Sequence, residues 1–181
     1  VCAHSLSSSI MTTHSDIVAE LVSRWPENRI APGLGRISAL LDLLGSPQAA
    51  APVVQIAGTN GKGSTAIMVD AILRSSGLRT GRFTSPHLND LTERICIDGR
   101  PIDHDRFAEV WESVRPLVKI VDDQLIDGVQ MTFFEVITAV AFAAFADAPE
   151  CGCTLAYAAP KSDFARSRAR SSATSTNSQP P

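Results

Sequence analysis

The residues best suited to chemistry in this chain form one segment, Gly58-Thr59-Asn60-Gly61-Lys62-Gly63-Ser64-Thr65. The segment follows an apolar run at 53–57 and precedes a helical pattern, so the predicted order is strand, glycine-rich turn, helix. Glycines permit positive φ and let backbone N–H groups crowd around an anion, while the helix N-terminus and Lys62 add positive charge. The pattern therefore predicts a cradle for a polyphosphate.

The spacing within this segment departs from the usual P-loop. Gly63 stands directly after Lys62, no glycine lies five positions before Gly61, and the hydroxyls of Ser64 and Thr65 come one position late. A Gly/Ser-rich turn is more often only a turn, so the nucleotide-binding interpretation depends on the flanking strand and helix. A small P-loop kinase or GTPase is disfavoured by the spacing and because no apolar strand ending in Asp follows.

Composition and charge narrow the classes of function. The chain has 181 residues, 44% of them hydrophobic, which is enough for one domain with a core. Residues 1–150 carry 12 Lys and Arg against 18 Asp and Glu, so the body is acidic and general nucleic-acid binding is disfavoured. No apolar run is long enough to span a bilayer, and the first residues do not resemble a secretory signal. The four cysteines form no disulfide framework. We expect a cytoplasmic monomer that contacts neither membrane nor nucleic acid.

The elements that must position this segment follow from hydrophobic periodicity. The helix after the turn is predicted to present Ile67, Met68, Ala71 and Ile72 as its apolar face. Alternating strands and helices predict an α/β fold with a P-loop-containing parallel sheet flanked by helices. In chain order the predicted elements are a helix at 17–25 ended by Pro26, a helix at 37–44, a strand at 53–57, a helix at 63–76, strands at 79–84 and 94–97, a helix from Asp103 to about 122, and a helix from 132 to 145.

The two ends of the chain differ from its middle. Residues 1–14 are rich in Ser, Thr and His, and we expect a disordered extension there. Residues 15–150 are predicted to form a partial ATP-binding domain. After the buried helix a parallel sheet needs a further apolar strand, yet residues 151–181 are rich in Ala, Ser and Arg and lack strand periodicity. We expect this tail to be unstructured and to result from truncation or a frame shift, with a regulatory tail as the alternative.

Four motifs in register, VVQIAGTNGKGS, FTSPHL, LTERICIDG and FFEVITA, resemble the folylpolyglutamate synthase/dihydrofolate synthase family of Mur-type ligases. The resemblance covers roughly residues 15–149. It implies an ATP-dependent ligase with Mg²⁺, whose substrates are folate or dihydropteroate and L-glutamate. The acceptor carboxylate takes the γ-phosphoryl group of ATP to form an acyl phosphate, and the glutamate amine then displaces phosphate to form an amide.

The resemblance also implies roles for individual residues. ATP would be bound by the segment from Gly58 to Thr65, with Lys62 stabilising charge on the transferred phosphoryl group. Ser64 and Ser85 resemble metal-binding serines, although a Ser-Pro turn is the ordinary interpretation of Ser85. The residues that match substrate contacts are Ala31, Pro32, Gly33, Leu34, Arg36, His87, Thr132 and Phe133. His87 in a loop is usually just solvated, and Phe133 at a helix start is more often part of the core.

Two acidic residues leave alternatives open. Glu135 is either a catalytic group that faces the phosphate turn or the acid of a capping box with Thr132. Glu93 and Arg94 form either a solvated pair near a strand start or part of the substrate loop.

The family pattern continues with a VEVGxGG strand, a DHxxxLG segment and a C-terminal domain, none of which is found in this sequence. Two further metal ligands are implied in those segments, and serine hydroxyls alone bind a hard cation poorly. We therefore expect the chain alone to be inactive. The alternative to an incomplete enzyme is a non-catalytic remnant that retains nucleotide or pterin binding.

Overall fold

Five strands form one mixed sheet in the order β1-β5-β2-β3-β4. The computed structural model describes residues 13–24 and 33–148, and the backbone of 154–158. Strands β1, β5 and β2 are parallel, whereas β3 is antiparallel to β2 and β4 to β3. The bounds are β1 Val53–Ile56, β2 Thr80–Phe83, β3 Ile95–Ile97, β4 Arg100–Pro101 and β5 Thr154–Ala158.

The described residues also form five α-helices, and the predicted α/β class is confirmed, although the sheet is mixed and not wholly parallel. Their bounds are α1 His14–Val22, α2 Gly35–Leu43, α3 Lys62–Ser75, α4 His104–Asp123 and α5 Phe133–Ala146. The predicted cap of α4 is present, since the side chain of Asp103 accepts a hydrogen bond from the Arg106 backbone N–H at 2.7 Å. The described residues include no helix of the length and apolar character that a membrane crossing requires.

The core lies where α4 and α5 face each other and the sheet. Trp111 and Val114 of α4 and Val136 and Ile137 of α5 are completely buried, and each such side chain contributes roughly 1.5–3 kcal/mol by leaving water. Helix α5 approaches the sheet so closely that a Cβ at Gly81 of β2 would lie 2.5 Å from the Phe145 ring. Only glycine fits at this contact.

The predicted apolar face of α3 does not lie in the core. Ile67, Met68 and Ile72 are 52%, 57% and 63% exposed, and the buried residues of this helix are Ala66 and Asp70. The helix itself was predicted correctly from its periodicity, but the face it buries was not. The reason is that periodicity identifies an apolar stripe without saying what covers it.

Both predicted ends of the ordered domain need correction. Helix α1 begins at His14, and Thr13 before it is the N-cap and forms a capping box with Asp16, so the expected disorder over 1–14 is wrong for these two residues. Within the tail expected to be unstructured, residues 154–158 form β5 between β1 and β2. A central parallel strand needs only a short apolar run, which Thr154–Ala158 supplies without any alternation. Residues 1–12, 149–153 and 159–181 lie outside the described part, so the rest of these two expectations concerns residues that the structure does not describe.

Candidate functional site

The phosphate turn, residues 57–61, connects β1 to the first residue of α3, Lys62. Gly61 is the N-cap of α3 with φ 73° and ψ 4°, a left-handed conformation that favours glycine, and it supplies no side-chain cap. The first N–H groups of α3 are therefore left without a capping side chain at this position. Because the residues from 57 to 61 are all exposed, these donors are accessible to an anion.

Lys62 folds back over the turn. Its Nζ donates a hydrogen bond to the Gly58 carbonyl oxygen at 3.0 Å, and the Thr65 hydroxyl donates to the Gly61 carbonyl oxygen at 2.9 Å. The ammonium group and the helix N-terminus thus lie on the same short loop, and both contribute positive potential. This arrangement can bind a polyphosphate through geometry and local charge in a chain whose body is acidic.

Ser85 lies in the loop that follows β2. Because β1 and β2 are both parallel to β5, their carboxyl ends lie at the same edge of the sheet, where ligands of parallel sheets usually bind. The phosphate turn and the Ser85 loop are therefore at one edge of the sheet, as their positions in the sequence predicted.

The loop after Ser85 is held by Glu93. Its carboxylate accepts hydrogen bonds from the backbone N–H groups of Leu88 at 2.8 Å and of Asn89 and Asp90 at 3.0 Å each. The hydrogen bond from Leu88, followed by that from Asp90, lowers the pKa of Glu93 below its ordinary value. The carboxylate is thus a structural acceptor that fixes the loop backbone.

Arg94 connects this loop to α5. It is only 3% exposed, its Nε donates to Nδ1 of His87 at 2.8 Å, and its guanidinium lies 5.1 Å from the centre of the Phe133 ring. The alternative of a solvated Glu93–Arg94 pair is therefore wrong, because Arg94 is buried. Since Nδ1 of His87 accepts this hydrogen bond, the neutral ring carries its proton on Nε2.

Glu135 forms a buried pair with Arg36. Nε of Arg36 lies 3.2 Å from Oε2 and Nη2 lies 3.1 Å from Oε1, and Arg36 is 1% exposed. Oε2 of Glu135 also accepts from the backbone N–H of Thr132 at 2.8 Å, and the Thr132 hydroxyl accepts from the Glu135 N–H. The capping-box alternative is confirmed, and both carboxylate oxygens have close partners.

Asp127 completes this cluster, since its Oδ2 lies 3.3 Å from Nη1 of Arg36. A Cβ at Gly33 would come 2.5 Å from the same carboxylate oxygen. The segment before α2 therefore lies against the Asp127 carboxylate. Leu34 is 47% exposed beside it. Ala31 and Pro32 lie outside the described residues.

The predicted site residues form three groups. The phosphate turn is the first group. His87, in the loop of Ser85, is connected to Phe133 through Arg94 and forms the second. Arg36 with Thr132 and Glu135 is the third. Phe133 is 5% exposed, in agreement with the core interpretation of this residue. Asp127 was missed as a contact of the site, and Arg94 was predicted only as an alternative member of the substrate loop, because Arg36 and Phe133, which they contact, are distant from them in sequence.

The residues proposed for Mg²⁺ do not form a complete site. Ser64 and Ser85 offer hydroxyl oxygens, and Mg²⁺ in proteins takes carboxylates and phosphates in octahedral geometry. Among the described residues, the one cluster of His, Cys, Asp or Glu suited to a metal is His14, Asp90 and His104, which includes neither Ser64 nor Ser85. The residues described here do not make a magnesium site by themselves.

No family model matches the chain, but individual relatives do. It is 54% identical over 134 residues to the dihydrofolate synthase/folylpolyglutamate synthase of Mycobacterium tuberculosis, covering 71% of this chain and 28% of that protein. The same comparison with the Bacillus subtilis protein of that name gives 37% identity over 118 residues, covering 65% of this chain and 27% of that protein. The chain thus spans less than a third of the length of these relatives, in their N-terminal part.

Solved structures agree with these relatives. A folylpolyglutamate synthase of Mycobacterium tuberculosis complexed with ADP superposes with a TM-score of 0.74 at 49% identity, covering 80% of this chain and 31% of that one. An FPGS–AMPPCP–folate complex gives 0.71 at 32% identity, covering 80% and 35%. A bifunctional folylpolyglutamate synthase/dihydrofolate synthase with Mn, AMPPNP and L-glutamate bound gives 0.66 at 26%, covering 80% and 32%. The sequence motifs and the fold thus indicate the same relatives.

Proposed function

Because this chain matches the N-terminal part of the folylpolyglutamate synthase/dihydrofolate synthase family in sequence and fold, we propose that it is the nucleotide-binding part of an ATP-dependent ligase. The ligase adds L-glutamate to folate or dihydropteroate. The observation that carries this proposal is the phosphate turn, in which Gly61 leaves the α3 N-terminus uncapped and Lys62 lies over the loop. Relatives that bind ADP, AMPPCP or AMPPNP with Mn support it.

The proposed chemistry activates a carboxylate. A carboxylate oxygen of the folate or pteroate acceptor forms a bond to the γ-phosphorus of ATP as the bond to the bridging oxygen of ADP breaks. The glutamate nitrogen then attacks the acyl carbon, phosphate leaves, and the amine loses a proton. In each step negative charge builds up on phosphate oxygens. Hydrogen-bond donors that are already in position before the reaction therefore stabilise the transition state.

In this mechanism Lys62 and the first N–H groups of α3 bind the phosphates. When nucleotide binds, Lys62 exchanges its hydrogen bond to the Gly58 carbonyl for one to a phosphate oxygen. The new bond is stronger because both of its partners are charged. The segment from Gly58 to Thr65 supplies the remaining nucleotide contacts. Ser64 and Ser85 remain our proposed contacts to a divalent cation that accompanies the nucleotide.

The acceptor is proposed to lie along Gly33, Leu34, His87 and Thr132. His87 presents Nε2–H as a donor because Arg94 occupies Nδ1. We propose that Arg36 and Glu135 act indirectly, by holding the start of α2 against the start of α5, since each already has the other as its partner. Phe133 supports the loop through Arg94.

Substituting Lys62 with Ala tests the nucleotide site. Titration calorimetry with ATP should show affinity reduced by several-fold to roughly a hundredfold, because a charge-assisted contact is lost. Lys119→Ala, at an exposed position of α4, is the matched control and should bind like the original chain. Equal affinities for all three proteins would remove nucleotide binding by this turn from the proposal.

A non-catalytic remnant that retains nucleotide or pterin binding is the second candidate. The chain spans 28% of its Mycobacterium tuberculosis relative, and we propose that it forms no product alone. Incubation with ATP, Mg²⁺, labelled glutamate and either dihydropteroate or tetrahydrofolate tests this proposed inactivity. Metal-dependent amide product from the chain alone would contradict its proposed inactivity. We further propose that the protein acts as a cytoplasmic monomer on small molecules and not on nucleic acid.

A further inference from the structure

Two histidines and one aspartate from three separate segments meet on the surface. His14 is the first residue of α1, Asp90 caps the short 3-10 turn Leu91–Arg94, and His104 is the first residue of α4. Nε2 of His14 lies 3.4 Å from Oδ1 of Asp90, and Nε2 of His104 lies 3.2 Å from Oδ2. One ligand atom of each side chain lies within 4.8 Å of the others. This is the one such cluster in the part of the chain that the structure describes.

His14 lacks hydrogen bonds in this cluster. Its side chain is 17% exposed, and within the described residues neither of its buried ring nitrogens has a hydrogen-bond partner. The Nε2 atom is near Asp90 but not aligned with it for a hydrogen bond. Leaving a buried nitrogen without a partner is unfavourable, and a ligand that accepts the lone pair of Nε2 removes part of that cost.

Asp90 is ionised throughout the neutral range. Desolvation acts to raise its pKa, but hydrogen bonds from the Thr92 hydroxyl and backbone N–H, with the nearby imidazoles of His14 and His104, lower the pKa to about 2. A negative carboxylate between two imidazoles offers one hard oxygen ligand and two borderline nitrogen ligands. Zn²⁺ and its first-row neighbours bind such sets, whereas Mg²⁺ and Ca²⁺ take oxygen ligands.

We propose that His14, Asp90 and His104 bind a first-row transition-metal cation such as Zn²⁺, at a site separate from the phosphate turn. Bonds of about 2.0–2.1 Å in tetrahedral geometry place neighbouring ligand atoms roughly 3.3–3.4 Å apart. The distance of 3.4 Å from Nε2 of His14 to Oδ1 of Asp90 matches that spacing, and Nε2 of His104 lies 3.2 Å from Oδ2, the other oxygen of the same carboxylate. Water completes the coordination shell.

Binding requires one ring to turn. The two imidazoles are stacked, with centroids 3.8 Å apart and planes 6° from parallel, so their lone pairs cannot both point at one ion in this arrangement. His14 is packed edge-on against Phe107, whereas the His104 side chain is 55% exposed. His104 therefore rotates about its side-chain torsions while His14 and Asp90 stay in place.

A metal at this position would fasten the loop that contains His87. Asp90 begins the turn whose Glu93 holds the backbone of residues 88–90. The ion would join this turn to the first residues of α1 and α4. The expected effect is a higher unfolding temperature in the presence of the metal, independent of nucleotide.

The test uses the full chain, stripped with EDTA and titrated with Zn²⁺ by calorimetry and with Co²⁺ by visible absorption. We expect one strong site per chain. His104→Gln and His14→Gln should each weaken Zn²⁺ binding by at least about tenfold, given that losing even an outer-shell contact has effects of this size. They should also remove the thermal shift.

The controls separate this site from other donors. His87→Gln keeps all three ligands and should bind Zn²⁺ like the original chain. A background with Cys2→Ser, His4→Gln, Cys151→Ser and Cys153→Ser leaves Cys96 and His87 as the only cysteine and histidine donors outside the cluster, and it should keep the strong site. If His14→Gln does not fold in EDTA, His104→Gln decides, because its side chain is mostly exposed. Unchanged Zn²⁺ affinity in His104→Gln, or loss of the site in the background variant, would overturn the proposal.

Discussion

Replacing Arg36 with Met tests the proposal that Glu135 holds the site together and does not take part in the reaction. The substitution keeps the apolar stem of the side chain and removes the guanidinium. Arg36 is 1% exposed, and it contacts both oxygens of Glu135 as well as Oδ2 of Asp127. Its removal leaves one carboxylate buried without its cation and a second carboxylate close by.

The size of the effect follows from burial. Removing one partner of a buried ion pair costs about 3–5 kcal/mol of unfolding free energy, because the other charge is left desolvated. Here Thr132 still donates two hydrogen bonds to Glu135, so we expect the lower end, about 3 kcal/mol. Glu135→Gln should cost less than Arg36→Met, since glutamine can still close the capping box and Asp127 still faces Arg36. The double variant should cost less than the two single costs together, by about 1 kcal/mol or more.

Urea unfolding followed by circular dichroism measures these free energies. The matched control is Arg115→Met, which breaks an ion pair with Glu20 at 3.2 Å whose side chains are 45% and 31% exposed. An exposed pair contributes roughly 0–1 kcal/mol. If Arg36→Met lowers the free energy of unfolding no more than Arg115→Met does, the Arg36–Glu135 pair does not stabilise the fold. A catalytic role for Glu135 would then again be the better explanation.

Three further results are expected. Gly81→Ala should lower the free energy of unfolding in urea by roughly 1–3 kcal/mol, because its Cβ meets the Phe145 ring at 2.5 Å. The control Gly63→Ala has open space around it and should leave this free energy equal or higher. Similar losses in the two variants would contradict the packing at Gly81. Cys96 should react slowly with iodoacetamide in the folded chain and quickly in urea, because burial raises the pKa of its thiol; equal rates would place the thiol at the surface. In EDTA, the depressed pKa of Asp90 implies a contribution to folding stability that is present above about pH 4 and lost as the pH falls towards 2. If an Asp90→Asn variant lost stability over the same pH range by the same amount, Asp90 would not be the group responsible.

Local patterns explain which elements could be predicted from sequence. Two of these elements begin with a cap, Asp103 for α4 and the capping box of Thr132 with Glu135 for α5. In each, the bonded residues are three positions apart, so both partners are visible in one short stretch of sequence. The turn between β1 and α3 is specified in the same way by its glycines. Such features depend on neighbours along the chain and were predicted with the right bounds to within a few residues.

Contacts between distant segments could not be predicted. Arg94 meets Phe133 from 39 positions away, and its sequence neighbour Glu93 suggested a solvated pair instead. Strand β5 has no alternating pattern, and its place between β1 and β2 depends on a gap that the other strands leave. In both cases tertiary context decides the conformation, and a short segment considered alone carries no sign of it.

The position of the phosphate turn depends on how α3 is attached, and a buried polar contact with β2 contributes to that attachment. With Ile67, Met68 and Ile72 exposed, the apolar stripe of this helix contributes little to holding it. Asp70 is 2% exposed instead, accepts a hydrogen bond from the Thr80 hydroxyl and lies 3.4 Å from Nε of Arg74 and 3.6 Å from Nε of Arg82. A buried carboxylate with these partners fixes one helix face against β2, since leaving it unpaired is costly. The contacts of Asp70, two turns after the N-terminus of α3, thereby fix the direction of the helix. They orient the phosphate turn although the opposite face of α3 is open to solvent.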